Sequence, residues 1–171
     1  MATHYSFITD EQAALIRNAT LFFVATADPQ LANGANGPGP VNVSPKGGVA
    51  LHILGPTRVA FLDYRGSGNE TARHSIAGGP ITVMVCSFEE GDAAIVRLYG
   101  KARVTSLADS PIADRFIEAR AESHKMWPMR DIIEISIEST MTSCGYGVPV
   151  MSFVRDRGTD DRGRRYKAKS A

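Results

Sequence analysis

The sequence predicts a mainly β protein, an antiparallel barrel or sandwich with a few helices appended to it. Roughly six or seven segments are rich in β-branched and aromatic residues and have the length of strands. These segments mostly follow one another along the chain, without the regular strand–helix alternation from which parallel sheets are built. Only about two or three short segments carry helix signals. Together these features favour an antiparallel β architecture.

Composition and charge narrow the class of protein. The chain has 171 residues, of which 43% are hydrophobic and 22% charged, as in an ordinary globular domain. A formal net charge of +1 excludes a chain built as a whole to coat nucleic acid or an anionic membrane. The N-terminal residues lack the basic and apolar regions of a signal peptide, and the apolar runs are too short to span a bilayer. We therefore expect a cytoplasmic protein with no nucleic-acid or membrane partner.

The first elements are a helix, a strand and a long loop. Thr9 or Asp10 is a candidate cap for a helix that runs to Asn18 and carries apolar residues on one face. "LFFVATA" predicts a strand because it is rich in aromatic and β-branched residues. The segment "DPQLANGANGPGP" is crowded with turn residues and predicts a loop.

The next strand, "VNVSPKGG", alternates apolar and polar residues. Val41 and Val43 should therefore face one side of the strand, and Asn42 and Ser44 the other. Pro45 has no amide hydrogen to donate, so it should end the strand or mark it as an edge strand.

Further strands are predicted at "VALHIL", "RVAFLDY", "ITVMVCSF", "AAIVRLYGKARVTSL" and "RDIIEISIES". Gly100 inside the fourth of these predicts a bulge or a sharp bend. In "SPIADRFIEARAE", Ser110 should cap a helix with Pro111 at its first position. "TSCGYGVPVMSFV" should form a turn followed by a last short strand. We expect residues 1–155 to form the folded domain and the charged residues 156–171 to be a disordered tail.

The stretch "RGSGNETARHS" is a candidate anion site at a strand-to-helix junction. A phosphate needs backbone amides, hydroxyls and a cationic side chain that converge on one point. The candidate groups are the flexible backbone at Gly66 and Gly68, the hydroxyls of Ser67 and Thr71, the Arg65 guanidinium and the Asn69 side chain.

The same stretch has a purely structural interpretation. Ser67 and Glu70 have the spacing of a capping box, which closes a helix end with the protein's own side chains. From the local residues both interpretations stay open. The stretch lacks the Lys-Ser/Thr ending of the nucleotide-binding Gly-rich loop, so a nucleoside triphosphate is not indicated.

Two other segments carry candidate ligand groups. Asn42, Ser44 and Lys46 are spaced by two and could read a flat heterocycle, or they could form a solvated polar face. In "SCGYGVP", Tyr146 stands between two glycines and could cover a planar ligand, or the segment could be a plain tight turn.

The histidines and cysteines of the sequence give little indication of a metal site or of a catalytic nucleophile. The four histidines and two cysteines lack the close paired spacing of a zinc site, so no metal is predicted. Cys86 and His74 are a conceivable nucleophile–base pair, but the apolar neighbours of Cys86 favour a core position.

Taken together and in this order, these segments resemble the pyridoxamine 5′-phosphate oxidase-like, FMN-binding split-barrel family. The resemblance rests on "VNVSPKGG", "AFLDYRGSGNETARH" and "SCGYGVPVM", with the strands "ITVMVCSF" and "VRLYGKARV" between them, and it covers most of the chain. It implies a six-stranded antiparallel Greek-key split β-barrel. It also implies a homodimer that holds FMN at the subunit interface and acts as an oxidoreductase on a small-molecule substrate.

The resemblance further implies which residues hold the cofactor. Val41, Asn42, Val43 and Ser44 would touch the flavin ring or the ribityl chain, and Lys46 would lie near the phosphate or the pyrimidine edge. Asp63, Tyr64, Arg65, Gly66 and Ser67 would follow the ribityl chain to the phosphate, with Asn69 and Thr71 as further donors. Arg97, Tyr99 and Tyr146 would reach the flavin from the partner subunit.

The reaction itself is less determined than the cofactor. Hydride transfer needs no acid–base residue, so no catalytic residue is predicted; Lys46 and Arg97 are candidates to stabilise negative charge on the reduced ring. The loop from Pro29 to Pro40 and the segment from His124 to Trp127 are expected walls of the substrate opening.

The sequence also departs from true pyridoxamine phosphate oxidases. Gly68-Asn69-Glu70 replaces the basic pair that follows their loop serine, and the C-terminal segment lacks their Trp. The alternatives are a non-catalytic flavin carrier or sensor, a deazaflavin-dependent reductase of the same fold, and a heme protein with His52 or His124 as axial ligand.

Overall fold

The computed structural model of the chain describes residues 2–33, 39–66, 68–119, 128–158 and 161. Its strands are β1 Thr3–Tyr5, β2 Leu21–Ala27, β3 Val41–Gly47, β4 His52–Gly55, β5 Arg58–Tyr64, β6 Pro80–Cys86, β7 Ala94–Ser106 and β8 Met129–Cys144. Its helices are α1 Asp10–Asn18, α2 Glu70–Ile76 and α3 Ala113–Glu118, and a 3-10 helix spans Leu107–Asp109.

The strands form one antiparallel sheet with Greek-key connections. The order is β3-β2-β6-β7-β8-β5-β4, and β1 pairs with β8. β6, β7 and β8 are consecutive neighbours, while β5 lies on the far side of β8 and is joined to β6 through α2. This is the Greek-key arrangement. The predicted mainly β, antiparallel fold is confirmed, and the described sheet has eight strands, of which β1 and β4 are short.

The sheet curls until its two ends face each other. The rings of Phe22 on β2 and Phe61 on β5 meet edge to face, with centroids 5.4 Å apart, although three strands separate them in the sheet. The apolar core lies inside this curl and includes Val24, Val83, Val85, Val96, Leu98, Ile133 and Ile135. A curled sheet thus buries its apolar inner face against itself, as a barrel does.

α1 packs Ala13 and Ile16 against this core, and its predicted cap is confirmed. Thr9 Oγ1 accepts from the Gln12 amide at 3.3 Å, and the Gln12 side chain accepts from the Thr9 amide at 3.1 Å. The two bonds are a capping box, which satisfies two amides that the helix leaves without partners.

Gly100 confirms the predicted irregularity in β7. The pairing of β7 with β8 shifts register between Tyr99 and Gly100. A Cβ at Gly100 would lie 2.0 Å from the Ser136 carbonyl oxygen, so the two backbones approach more closely than any side chain allows.

The predicted helix at "SPIADRFIEARAE" begins later than expected. α3 starts at Ala113, and Ser110 bonds instead to the Ile112 amide at 3.4 Å in the preceding turn. Phe116 is buried against Leu62 and Ile132, on the outer face of β5 and β8.

The C-terminal boundary of the last strand was also predicted wrongly. β8 continues to Cys144, because Thr142, Ser143 and Cys144 pair with the start of β7. A short strand was also predicted before the tail. This prediction was wrong, because the described residues after Cys144 form no strand. Most of the predicted tail lies outside the described residues; Asp161, which is described, pairs with Arg155 at 2.6 Å.

No helix in the described part of the chain is long and apolar enough to cross a membrane.

Candidate functional site

β3 is an edge strand whose apolar side chains face outward and whose polar side chains face the interior of the sheet. Val41 and Val43 face outward and are 63% and 66% exposed, while Asn42, Ser44 and Lys46 face inward and are half-buried. The predicted separation of the apolar and polar faces is confirmed. Pro45 does not end the strand; it lies within β3 in register with Phe23, and β3 is an edge strand, which is where proline occurs within sheets.

The inner face of β3 meets the end of β5 across the open side of the sheet. Lys46 Nζ lies 3.0 Å from Asp63 Oδ1 and 5.7 Å from the centre of the Phe61 ring. The Asp63 side chain is only 3% exposed. A buried carboxylate needs such partners, because an unpaired charge away from water is strongly unfavourable.

Asn42 and Thr71 form a second link across the same opening. Asn42 Nδ2 donates to Thr71 Oγ1 at 3.2 Å, which joins β3 to the first turn of α2. Between Asn42 and Lys46 on the strand, the Ser44 hydroxyl is buried and makes no hydrogen bond to the described residues. A buried hydroxyl without a partner costs free energy, so this position suits a ligand that offers one.

Arg130, at the start of β8, belongs to the same cluster and was not predicted. Its Nε lies 3.1 Å from Asp63 Oδ2, its Nη2 bonds the same oxygen, and Nη1 and Nη2 donate to the Gly68 carbonyl at 3.3 and 3.4 Å. Asp131 Oδ2 lies 3.4 Å from Nε. No motif surrounds Arg130 in the sequence; only the register of β5 on β8 brings it to Asp63.

The glycine loop, residues 65–69, leads from β5 into α2. Asn69 occupies the cap position of α2, but its side chain makes no capping hydrogen bond to the described residues. Glu70 folds back over the loop, since a Cβ at Gly68 would lie 2.5 Å from its carboxylate oxygen Oε2. Because α2 begins at Glu70 after the cap residue Asn69, Glu70 is not the third helix residue that the predicted Ser67–Glu70 capping box requires, so this prediction is wrong. Ser67 itself lies outside the described residues.

Positive charge at this loop therefore has to come from side chains. α2 has seven residues, and Glu70 already occupies its first turn, where the helix end favours negative charge. Among the described residues, Arg65 and Arg130 bring positive charge to the loop, and Lys46 pairs with Asp63 on the strand that leads into it.

Beyond Thr71, α2 is fastened by a buried histidine. His74 Nδ1 lies 2.9 Å from Thr26 Oγ1, and its Nε2 lies 2.9 Å from Arg73 Nη2. Because a guanidinium only donates, Nε2 must accept and Nδ1 carries the hydrogen. Burial, and then the neighbouring Arg73 charge, lower the pKa of His74, so the ring is neutral.

Arg73 also anchors the start and the end of the loop that precedes β3. Arg73 Nη1 lies 3.4 Å from Asp28 Oδ2, and Arg73 Nη2 donates to the Gly39 carbonyl at 3.5 Å. The pKa of Asp28 is lowered mainly by the amides of Gln30 and Ala32, which donate to its carboxylate. Residues 34–38 of this expected substrate wall and the whole His124–Trp127 segment lie outside the described residues.

Arg97, Tyr99 and Tyr146 do not join this cluster within one chain. Arg97 is in register with Met84 and Met141 on the outer face of the sheet, opposite to Lys46, and donates to Ser143 at 3.1 Å. Tyr146 is 91% exposed at the tip of its turn. Of the other predicted residues, Tyr64 is half-buried at the end of β5, and Gly66 is exposed in the loop.

The structure gives no support to Cys86 and His74 as a nucleophile pair. Both ring nitrogens of His74 are engaged by Thr26 and Arg73, and burial raises the pKa of the Cys86 thiol. Among the described residues no three His, Cys, Asp or Glu side chains are grouped as a metal site would require.

Comparisons with known proteins agree with this fold. The chain is 31% identical over 163 residues to the pyridoxamine 5′-phosphate oxidase family protein ustO of Aspergillus flavus. The match covers 94% of this chain but only 61% of that relative's length.

Solved structures of low identity share the fold. An FMN-binding protein from Syntrophomonas wolfei has a TM-score of 0.57 at 14% identity, covering 83% of this chain and 84% of that one. A candidate pyridoxamine 5′-phosphate oxidase from Lactobacillus delbrueckii has a TM-score of 0.56 at 22% identity, covering 80% and 94%. HupZ from Group A Streptococcus has a TM-score of 0.52 at 20% identity, covering 77% and 90%.

The family model described as pyridoxamine 5′-phosphate oxidase matches residues 8–144, which span the sheet from α1 to the end of β8. The predicted resemblance is confirmed: this chain belongs to the pyridoxamine 5′-phosphate oxidase family.

Proposed function

We propose that this chain binds FMN as a homodimer and acts as a flavin-dependent oxidoreductase on a small molecule. The observation that carries the proposal is the meeting of β3 with β5 and α2. Two contacts, Lys46 with Asp63 and Asn42 with Thr71, bring the predicted ring strand and the predicted phosphate side of the site to one opening. Family membership and an FMN-binding protein of the same fold support the choice of cofactor.

The residues at the opening fit a bound flavin nucleotide. The buried Ser44 hydroxyl lacks a partner among the described residues, as expected of a group that bonds a ligand. Lys46 and Arg130 bring cationic groups to the opening, where both pair with Asp63. The loop has open space at Gly66, since no atom of the described residues lies within 4 Å of the position that a Cβ would take. Asn42, Ser44 and Lys46 would hold the ring side, and Arg65, Ser67, Asn69 and Thr71 the phosphate side.

Bound FMN would supply hydride and electron transfer at its isoalloxazine ring. The residues of this chain bind and orient it. Lys46 carries a positive charge at the inner face of β3, which would favour negative charge on the ring edge beside it. Asp63 holds that ammonium group in place at 3.0 Å.

The homodimer is inferred from the outer face of the sheet. Val41 and Val43 are exposed apolar side chains on an edge strand, and Met151 and Phe153 are exposed beyond β8. An apolar edge strand invites a partner, because its backbone groups and side chains are both uncovered. The family resemblance implies that Arg97 and Tyr146 of this second subunit would reach the flavin.

The first test is the visible absorption spectrum of the purified protein, followed by titration with FMN. We expect the two-band spectrum of a flavin, and reduction of that flavin by a nicotinamide donor with reoxidation by oxygen or another acceptor. A flavin that binds but is never reduced would favour a carrier or sensor. A single band at shorter wavelength would indicate a deazaflavin, and a Soret band would indicate heme.

A variant pair locates the site. Lys46→Gln should weaken FMN binding by about 10-fold, the loss expected for one charge-assisted contact. Lys101→Gln, which removes an exposed lysine bonded to the Gly78 carbonyl at 2.8 Å, is the control and should bind FMN like the wild type. Equal affinity in both variants would exclude the opening at Lys46 as the flavin site.

A further inference from the structure

Asp63 lies at the centre of a buried ion-pair network that joins three elements. Its carboxylate, 3% exposed, is contacted by Lys46 from β3 at 3.0 Å and by Arg130 from β8 at 3.1 Å through Nε. The side chains of Lys46 and Arg130 are themselves only 19% and 20% exposed. Each of the two carboxylate oxygens therefore has its own cation. Arg130 also has a second anion, since Asp131 Oδ2 lies 3.4 Å from its Nε.

Arg130 carries this network into the glycine loop. Its Nη1 and Nη2 donate to the Gly68 carbonyl oxygen at 3.3 and 3.4 Å, while Nε and Nη2 hold Asp63. A guanidinium is planar and rigid, so both sides of the fork move together. The position of the loop backbone at Gly68 is thereby tied to the position of the Asp63 carboxylate.

The other restraints on the described loop residues lie at its two ends. There the Arg65 amide donates to the Pro128 carbonyl at 2.8 Å, and the Asn69 carbonyl accepts from the Arg73 amide at 2.9 Å. Among the described residues, the Asn69 side chain makes no capping bond and Gly66 has no atom within 4 Å of a Cβ position, while the Arg65 side chain is exposed. A loop with two described glycines has many accessible conformations, and holding one of them requires a specific contact.

We propose that Arg130 is a positioning residue, which sets the glycine loop for the flavin phosphate by linking Gly68 to the Lys46–Asp63 pair. The inference rests on the proposed function for the identity of the ligand. Its basis is the bidentate contact of one guanidinium with a buried carboxylate and a loop carbonyl. The phosphate side and the ring side of the site are then set by a single network.

The test compares Arg130→Gln and Arg130→Lys with Arg103→Gln, which removes a mostly exposed arginine paired with Glu134. Dissociation constants are measured for FMN and for riboflavin, which lacks the phosphate. We expect both Arg130 variants to weaken FMN binding by about 10- to 100-fold, because each loses a charge-assisted hydrogen bond that orders the loop. Riboflavin affinity should stay unchanged, and the Arg103 control should behave like the wild type.

The lysine variant separates positioning from charge. Lysine keeps the positive charge but lacks the planar guanidinium group, so FMN binding should be weakened in Arg130→Lys as it is in Arg130→Gln. Wild-type FMN affinity in Arg130→Lys would overturn the proposal, because charge alone would then suffice. Equal weakening of FMN and riboflavin together with a lower melting temperature would also overturn it, since it would indicate a general structural role.

A second measurement needs no cofactor. Hydrogen exchange of peptides that contain residues 65–69 should be faster in cofactor-free Arg130→Gln than in the wild type, with exchange in β6 and β7 unchanged. Unchanged exchange in the loop would overturn the proposal even if FMN binds. If the wild type binds no flavin, the proposed function fails, while loop exchange still decides whether Arg130 restrains the loop.

Arg130→Gln leaves the buried Asp63 with one cation and could fold poorly. The double variant Arg130→Gln/Asp63→Asn removes that charge. We expect it to fold and to show the same fast loop exchange, whereas slow exchange in the double variant would contradict the role of Arg130.

Discussion

Single residues in this protein owe their state to partners that lie far away in sequence. His74 is neutral because it is fully buried and because the Arg73 guanidinium occupies its Nε2, while Thr26 from β2 accepts from its Nδ1. The same dependence holds for Asp63, whose two cations come from β3 and β8. The sequence around each side chain does not reveal its state, which is set by the contacts that the fold makes.

The lowered pKa of His74 predicts a pH dependence of stability. In the unfolded chain histidine titrates near its ordinary value of 6.5, while the folded protein resists protonation. The unfolded state therefore binds more protons as the pH falls below about 6.5, and the free energy of unfolding decreases in that direction. Urea unfolding at several pH values between about 7.5 and 5.5 measures the slope.

The comparison should be made in a His52→Gln background, because burial and Arg115 also lower the pKa of His52. In that background, His74→Gln should lose most of the remaining dependence between about pH 7.5 and 5.5, whatever its effect on stability at neutral pH. An unchanged slope would show that His74 does not titrate on unfolding in the way the contacts imply.

At the scale of elements, backbone fit decides where strands bend and helices begin. In β7 the register shift at Gly100 allows the strand to pass Ser136 at a distance that no Cβ permits. In α1 the Thr9–Gln12 capping box defines the start of the helix. Both features are local in sequence: a cap at Thr9 or Asp10 and an irregularity at Gly100 were predicted from it, whereas the capping box with Gln12 was not.

Gly100→Ala should destabilise the protein by about 1–3 kcal/mol or more, because the added carbon would lie 2.0 Å from the Ser136 carbonyl oxygen and the strands must separate. Gly55→Ala is a matched control at the end of β4, where no atom lies within 4 Å of the added carbon. It should change stability by less than about 0.5 kcal/mol. Denaturant unfolding of the two variants checks this, and equal stability would contradict the close approach.

Thr9→Ala should cost about 1 kcal/mol, the usual effect of removing a helix cap. The hydroxyl lost is the one that accepts from the Gln12 amide at 3.3 Å. Ser6→Ala removes an exposed hydroxyl outside the helix and serves as the control. Far-ultraviolet circular dichroism during urea unfolding measures both variants. A loss in Ser6→Ala as large as in Thr9→Ala would rule out a specific effect of the cap.

At the scale of the whole molecule, curling of the sheet creates the candidate site. The inner face of an edge strand carries polar groups, and these meet the end of β5 and the first turn of α2 only because the sheet rolls over its core. The outer face of the same strand is apolar and exposed. An edge strand of this kind is a ready surface for a second subunit.

The proposed dimer predicts the behaviour of Val43→Glu. A charge on this exposed position should shift the protein from dimer to monomer in analytical ultracentrifugation and should weaken FMN binding, since burying an unpaired carboxylate at an interface is unfavourable. Ile76→Glu alters a side chain of similar exposure on α2 and should remain dimeric. A wild-type protein that is monomeric at high concentration, or a dimeric Val43→Glu, would refute this interface.

The sequence by itself determined the fold class, the alternation of faces on β3, a cap for α1 at Thr9 or Asp10 and an irregularity of β7 at Gly100. These features depend on residue period and on local backbone chemistry, which a linear pattern carries. The sequence also identified the family, because several loop motifs occur in a fixed order.

The tertiary structure alone decided which groups surround Asp63, since Arg130 and Lys46 reach it through strand register and through the curl of the sheet. It likewise decided that Arg97 lies on the opposite face from Lys46 and that β8 continues to Cys144. Pairing between distant strands sets these positions, and no local pattern encodes it.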